Sequence, residues 1–284
     1  MVFPGGADLP LSEGAIEPDC LIFDVDGVLV EAGSSFPETI RTTVEGEWKR
    51  AGFAVDADGY TSRHNDILKR HGSFNDDYDI AWILLNIMAW RGGRKLSESL
   101  PDAEELEKII AGCEGDCAAW ALAAFPEAFG RAEIREICVR TYFGDGQRRG
   151  TFRLETPLLR TRWDKLPLPA YIYTGRNLEE WRLAQKVLSW LDFPDERVVS
   201  SDSGILKPSP GGLAYICEKF GRDSPLFFGD TASDKKSFDA FGRGRFIAIG
   251  GILRDENPNF ACVGDALASL LGWEDDEIGK IGRR

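Results

Sequence analysis

The sequence predicts an α/β fold: a three-layer core around a mainly parallel sheet, with an α-helical domain inserted into it. Three observations lead there. Several short, continuous apolar runs end in glycine or polar turns, as strands buried on both faces do. Helical patterns separate the later runs, which is the rhythm of an α/β sheet. The first run is far from the second, and the stretch between them holds no convincing strand.

The strand-like runs are Cys20 to Val25, Ala170 to Tyr173, Leu226 to Phe228 and Arg245 to Ile249, with a weaker one at Arg197 to Val199. Leu178 to Leu191 places Trp181, Ala184, Val187, Leu188 and Leu191 on one helical face, and Leu213 to Phe220 and Ser233 to Phe241 read as shorter helices. The long stretch carries helix-like segments at Phe36 to Ala51, Ile80 to Trp90, Ala103 to Cys113 and Ala118 to Phe125. A crossover between parallel strands needs only about a dozen residues, so a stretch roughly ten times longer reads as an inserted domain. The expected division is a core of residues 15–32 and 156–284 and a helical insertion of 33–155, with hinges near Glu31 to Ser35 and Arg153 to Leu159. The acidic stretch Trp273 to Glu277 reads as a solvated end.

Composition narrows the function. With 284 residues and 43% hydrophobic content the chain can fill an ordinary core, which excludes disordered and fibrous classes. A net charge of −13 repels polyanions, so neither nucleic acid nor an anionic membrane is an expected partner. The six cysteines, at 20, 113, 117, 138, 217 and 262, form no CxxC pair, which fits reduced thiols. The start lacks a basic segment followed by an apolar run, and nothing approaches the roughly 20 apolar residues of a membrane span. The expected location is the cytoplasm.

Four polar signals carry the chemistry. Phe23-Asp24-Val25-Asp26-Gly27-Val28 puts two carboxylates at the end of an apolar strand, where open α/β sheets bind ligands; taken alone it could be a solvated turn with Gly27 at positive φ. Thr174-Gly175-Arg176 offers a hydroxyl and a close backbone approach suited to phosphate oxygens, with Arg176 a candidate substrate contact. Lys207 stands just before Pro208 and a helix, where a snorkelling surface lysine is the ordinary alternative. Gly229-Asp230-Thr231-Ala232-Ser233-Asp234 is a second carboxylate pair at a strand end, with helix capping the alternative for Asp234.

In that order, the four signals resemble the motifs of the haloacid dehalogenase (HAD) superfamily of phosphotransferases. The resemblance spans roughly 15–32 and 156–272, and Lys207-Pro208-Ser209-Pro210 and Ala248-Ile249-Gly250-Gly251 add local matches. It implies a Rossmann-like core and accounts for the insertion, since subfamily I carries a mostly helical cap after the first motif. Leu29 to Phe36 departs from the common Thr-Leu-Val-Asp-Ser continuation.

The roles the resemblance implies are these. Asp24 is the nucleophile, forming an aspartyl-phosphate. Asp26 carries protons to the leaving oxygen and from the attacking water. Asp24, the Asp26 backbone carbonyl and Asp230 hold Mg²⁺. Thr174 and the Gly175 amide hold the phosphate, Lys207 neutralises charge, and Asp234 orients Lys207 or a metal-bound water. Carboxylates crowded in one cleft raise each other's pKa, whereas a divalent ion and Lys207 favour the ionised forms. The expected activity is a Mg²⁺-dependent phosphatase acting on a small phosphorylated metabolite. The alternative is a phosphomutase of the β-phosphoglucomutase type. Asp26 argues against a haloalkanoate dehalogenase, and the late phosphorylated Asp of receiver domains, which lack a large insertion, argues against that class.

Other polar residues read as structural. His64 and His71 are expected at ordinary surface or core positions. Cys113 and Cys117 could share a helix face but lack further ligands for zinc. Asn75-Asp76-Asp77-Tyr78 reads first as an N-capping turn and second as a loop touching substrate.

Overall fold

The computed structural model describes residues 17–57 and 59–273. Most of the expected acidic tail, beyond Trp273, lies outside the described residues. In chain order the elements are β1 (Cys20–Phe23), β2 (Val30–Glu31), α1 (Phe36–Arg50), α2 (Ser62–His71), α3 (Asp77–Arg91), α4 (Leu96–Ser99), α5 (Ala103–Ile110), α6 (Cys117–Ala124) and α7 (Arg131–Phe143). There follow β3 (Thr156–Pro157), β4 (Ala170–Tyr173), α8 (Leu178–Leu188), β5 (Val198–Val199), α9 (Gly211–Phe220), β6 (Pro225–Gly229), α10 (Ala232–Phe241), β7 (Arg245–Ile249), β8 (Asn259–Phe260) and α11 (Val263–Leu271).

Six strands form one parallel sheet in the order β5-β4-β1-β6-β7-β8. Side chains alternate along each strand. Leu21 and Phe23 therefore face Trp181, Ala184 and Leu188 of α8 with Val263 and Leu267 of α11, while Cys20 and Ile22 face Leu213 and Ile216 of α9 and Phe238 of α10. This is a three-layer, Rossmann-like α/β core. From β1 the chain moves to β4 and β5 on one side, then returns to β6, β7 and β8 on the other. The carboxyl ends of β1 and β6 thus flank the topological switch point, where open sheets of this kind leave a crevice for ligands.

Between β2 and β3 the helices α1 to α7 enclose a separate apolar cluster that includes Trp48, Trp82, Leu85, Met88, Ile110 and Tyr142. Helix α3, DYDIAWILLNIMAWR, is apolar on nearly every side and is buried accordingly, packed by α1, α4, α6 and α7. The two passages between sheet and helices run side by side: Val30 pairs antiparallel with Pro157 and Glu31 with Thr156, and the Leu158 amide donates to the Leu29 carbonyl at 2.8 Å.

One sequence expectation fails in the core. Helix α8 stops at Leu188 because Ser189 adopts a left-handed conformation, φ 59°. The turn resets the helical phase, so Leu191 is 70% exposed and Trp190 takes the buried place instead.

Candidate active site

The site is built on strand ends. The Asp24 amide donates to the Phe228 carbonyl at 2.9 Å, extending the β1–β6 ladder one residue past the strand. The chain then turns tightly, with the Leu29 and Val30 amides both donating to the Val25 carbonyl at 2.9 Å. Gly27 has φ +70°, and a Cβ there would collide with the Asp230 carboxylate. Only glycine lets this turn approach the end of β6 so closely.

Lys207, expected to be either catalytic or a surface snorkel, is buried. Its Nζ lies 2.8 Å from Asp24 Oδ1 and 2.6 Å from Asp234 Oδ1, over the rings of Tyr173 and Phe227. Asp234 serves two purposes. Its Oδ2 accepts from the Thr231 amide at 3.0 Å and the Thr231 hydroxyl at 2.7 Å, closing a capping box at the start of α10, while Oδ1 faces Lys207. The N-cap itself is Thr231, and Asp234 stands at the third helical position.

Burial pushes the Asp24 carboxyl up to about 7; Lys207 opposes the shift, and Asp234 and Asp26 add to it. Asp230 is driven well above the ordinary carboxylate range by burial, then by Asp234, Asp24 and Asp26. Burial works against the Lys207 charge, but Asp234 and Asp24 outweigh it and hold the ammonium above its usual value.

The donor set fits a hard divalent cation. Carboxylate oxygens of Asp24, Asp230 and Asp234 lie within 4.8 Å of one another, and Asp230 Oδ1 is buried with no hydrogen-bond partner among the described residues. Both Asp234 oxygens are already engaged, which leaves Asp24 and Asp230 as the side chains free to take a metal.

A stability prediction follows from these shifts. Carboxyl groups whose folded-state pKa lies above the unfolded value favour the folded state at low pH, and lose that contribution as pH rises through the folded pKa. Metal-free protein should therefore lose stability between the model-compound value of 3.8 and about 7 for Asp24. Its thermal midpoint should fall from about pH 5 to about pH 8, and excess Mg²⁺ should raise the midpoint more at the higher pH. Equal Mg²⁺ effects at both values, measured by calorimetry, would contradict the electrostatic account.

A cavity of about 210 Å³ opens over these carboxylates. Asp24, Asp26, Gly27, Gly175 and Asp230 form part of its wall from the sheet side, and Lys69, Asn75, Asp76, Asp77, Tyr78 and Arg135 from the helical insertion. Thr174 and Lys207 are buried and are not part of that wall. The Thr174 amide donates to the Val199 carbonyl at 3.0 Å, and its hydroxyl oxygen accepts from the Arg176 amide at 3.1 Å. A Cβ on Gly175 would lie 2.8 Å from Asn75 Nδ2, so glycine here admits the insertion's loop.

Arg176 contributes to the same cavity wall. Its guanidinium, expected to contact substrate, is buried against protein groups: Asp26, Glu155, the Tyr142 hydroxyl and the Glu180 carbonyl.

The Asn75-to-Tyr78 loop fits both of its readings. The Tyr78 and Asp79 amides donate to Asp76 Oδ1, capping α3, and the same loop lines the cavity. Asp77 is paired at 3.0 Å with Lys69, a half-buried cation of α2 that sequence reasoning passed over. Tyr78 reaches the core through a 2.7 Å hydrogen bond from its hydroxyl to Glu180, whose carboxyl burial pushes up to about 7.

The histidines are structural. His64 Nδ1 accepts from the Thr61 amide and Nε2 meets the Pro101 carbonyl at 3.0 Å; His71 packs edge-on against Phe74. Cys113 and Cys117 do not share a helix, since the first follows α5 and the second opens α6. All six thiols are unpaired, and burial pushes Cys117 up to about 12.

The fold is matched in known proteins. Phosphatase Tt82 from Thermococcus thioreducens shares 26% identity over 81% of this chain and 92% of its own, with a TM-score of 0.60. A Lactobacillus plantarum protein provisionally named phosphoglycolate phosphatase shares the fold, with 15% identity over 90% of this chain and 100% of its own and a TM-score of 0.50. No curated protein matches. The model of the haloacid dehalogenase-like hydrolases matches residues 18–242, from the strand that delivers Asp24 to the end of the helix that Asp234 helps to cap, and the chain belongs to that family.

Proposed function

We propose that the protein is a Mg²⁺-dependent phosphatase that hydrolyses a small phosphorylated metabolite through an aspartyl-phosphate on Asp24. The observation that carries this reading is the buried chain Asp24–Lys207–Asp234, with Asp24 open to the cavity beside the Asp230 oxygen that has no partner among the described residues. The likeness to a named phosphatase supports it.

Phosphoryl transfer needs in-line placement and neutralisation of spreading charge. An Asp24 oxygen attacks phosphorus and the ester P–O bond breaks, the leaving oxygen taking a proton from Asp26. Water then attacks phosphorus, Asp26 takes a proton from that water, and the Asp24 carboxylate departs from the released phosphate. Lys207 fixes one Asp24 oxygen and leaves the other to react. The Thr174 hydroxyl and the Gly175 amide hold the phosphate oxygens. Mg²⁺, held by Asp24, Asp230 and the Asp26 backbone carbonyl, supplies the remaining charge neutralisation.

Residues 33–155 act as a cap over a core of 15–32 and 156–284, excluding water and choosing the substrate. Among the described residues no helix is long and apolar enough to cross a membrane; unpaired thiols support a reducing cytoplasm.

Phosphate release from 4-nitrophenyl phosphate and from a panel of phosphorylated metabolites tests the reading. Release should require Mg²⁺ and no primer; strict dependence on a sugar bisphosphate, with isomerised product and little free phosphate, would make the protein a mutase. The cap loop offers a further test through Asn75. Asn75→Ala should shift preference among metabolites by about tenfold, the scale of one lost polar contact, while turnover of the aryl ester changes little. Asp76 is a poorer probe, because its loss also uncaps α3 at about 1 kcal/mol. Parallel losses on every substrate after Asn75→Ala would remove the loop from substrate selection.

A further inference from the structure

Every guanidinium nitrogen of Arg176 is engaged within the protein. Nε lies 3.0 Å and Nη2 2.6 Å from Asp26 Oδ1, with Asp26 Oδ2 3.2 Å from Nε. Nη2 also lies 3.0 Å from Glu155 Oε1, and Nη1 donates to the Tyr142 hydroxyl at 3.2 Å and the Glu180 carbonyl at 3.1 Å. The guanidinium sits over the Phe36 ring.

The partners of Arg176 are themselves fixed. Glu155 Oε1 accepts from the Ser35 hydroxyl at 3.0 Å and the Tyr142 hydroxyl at 2.8 Å. Ser35 and Phe36 begin α1, Tyr142 belongs to α7, and Glu155 immediately precedes β3. The Arg176 side chain is 1% exposed while Asp26 is 34% exposed on the cavity wall. The cation is therefore the anchor, and the carboxylate is what it presents.

A buried ion pair is a poor way to gain stability, because desolvation offsets most of the attraction and apolar side chains could fill the same space. What a rigid planar guanidinium supplies is direction. Asp26 stands on a short turn closed by Gly27, where, among the described residues, its side-chain hydrogen bonds all come from Arg176.

We propose that Arg176 is a positioning residue for Asp26, set in place by Glu155 and Tyr142, so that the proton-transfer group of the core is aimed by a network reaching into the helical insertion. This rests on the role of Asp26 proposed above. A misaimed acid fails most where the leaving oxygen most needs a proton. Phenyl phosphate expels a phenoxide whose conjugate acid has a pKa of about 10, whereas 4-nitrophenyl phosphate expels a stabilised anion that needs little help. The quantity to compare is kcat/KM, which covers steps through departure of the leaving group.

Asp26→Asn should lower kcat/KM for phenyl phosphate by about 10²- to 10⁴-fold and for the nitrophenyl ester far less. Arg176→Lys should show the same selectivity, with about a tenfold or greater loss on phenyl phosphate, an unchanged Mg²⁺ requirement, and little further effect in the Asp26→Asn background. Glu155→Gln, which keeps the shape and removes the charge, should show a smaller selective loss and serves alone if Arg176→Lys does not fold. Selective loss in Asp26→Asn, with equal or no loss on both esters in every folded Arg176 and Glu155 variant, would overturn the positioning role. Absence of selectivity in Asp26→Asn itself would instead overturn the role of Asp26.

Discussion

Asp24→Asn should reduce phosphate release by about 10⁴-fold or more, the scale seen when a covalent nucleophile is removed, and should leave the fold intact. The carboxamide keeps the shape of the side chain. Lys207 retains Asp234 at 2.6 Å, so no buried cation is stranded. The change also removes one negative charge from a crowded group whose members raise one another's pKa. Metal-free Asp24→Asn should accordingly melt no lower than wild type at about pH 8. A variant that keeps wild-type turnover would remove Asp24 from the chemistry, and one that unfolds would show that the carboxylate is needed to hold the site together.

Lys207→Met should fail in both respects. It leaves Asp24 and Asp234 facing each other in a buried space with Asp230 nearby. Removing one partner of a buried ion pair costs about 3–5 kcal/mol, which for a chain of this size is a fall in Tm of order 10 °C. Protonation can relieve stranded carboxylates, so the deficit should shrink as pH falls from about 8 to about 5. It should also be smaller in the Asp24→Asn background, where one fewer charge is stranded. Catalysis should drop by about 10²- to 10³-fold on every ester alike, since charge neutralisation at the phosphate is common to all of them. A fully active, equally stable Lys207→Met protein would remove this lysine from both the chemistry and the stability of the site.

Much of the site was legible because its parts are local. Asp24 with Asp26, and Asp230 with Asp234, each stand within one turn after a strand, and the strands themselves are apolar runs with a clear end. What was not legible depends on distant pairs. Arg176 was read as facing substrate because its neighbours in sequence are Thr174 and Gly175; its actual partners, Asp26 and Glu155, come from the other strand ends and the return passage. Lys69 and Tyr78 likewise acquire their roles only when α2 lies beside the start of α3 and α3 reaches Glu180 of the core. Helix α2, SRHNDILKRH, has too few apolar residues to show a periodic face. The β2–β3 ribbon is two residues long on each side, below what any alternation pattern can reveal.

The central claim is that Asp24 becomes phosphorylated, and covalent trapping tests it most directly. Asp26→Asn protein mixed with Mg²⁺ and radiolabelled 4-nitrophenyl phosphate, then quenched in acid within the first turnover, should carry label, because the ester departs with little help while attack by water lacks its base. The label should be released by hydroxylamine, as acyl phosphates are, map to the peptide containing Asp24, and be absent from the Asp24→Asn/Asp26→Asn protein. Release of nitrophenol with no protein-bound label at any quench time, or label on a peptide lacking Asp24, would contradict the account.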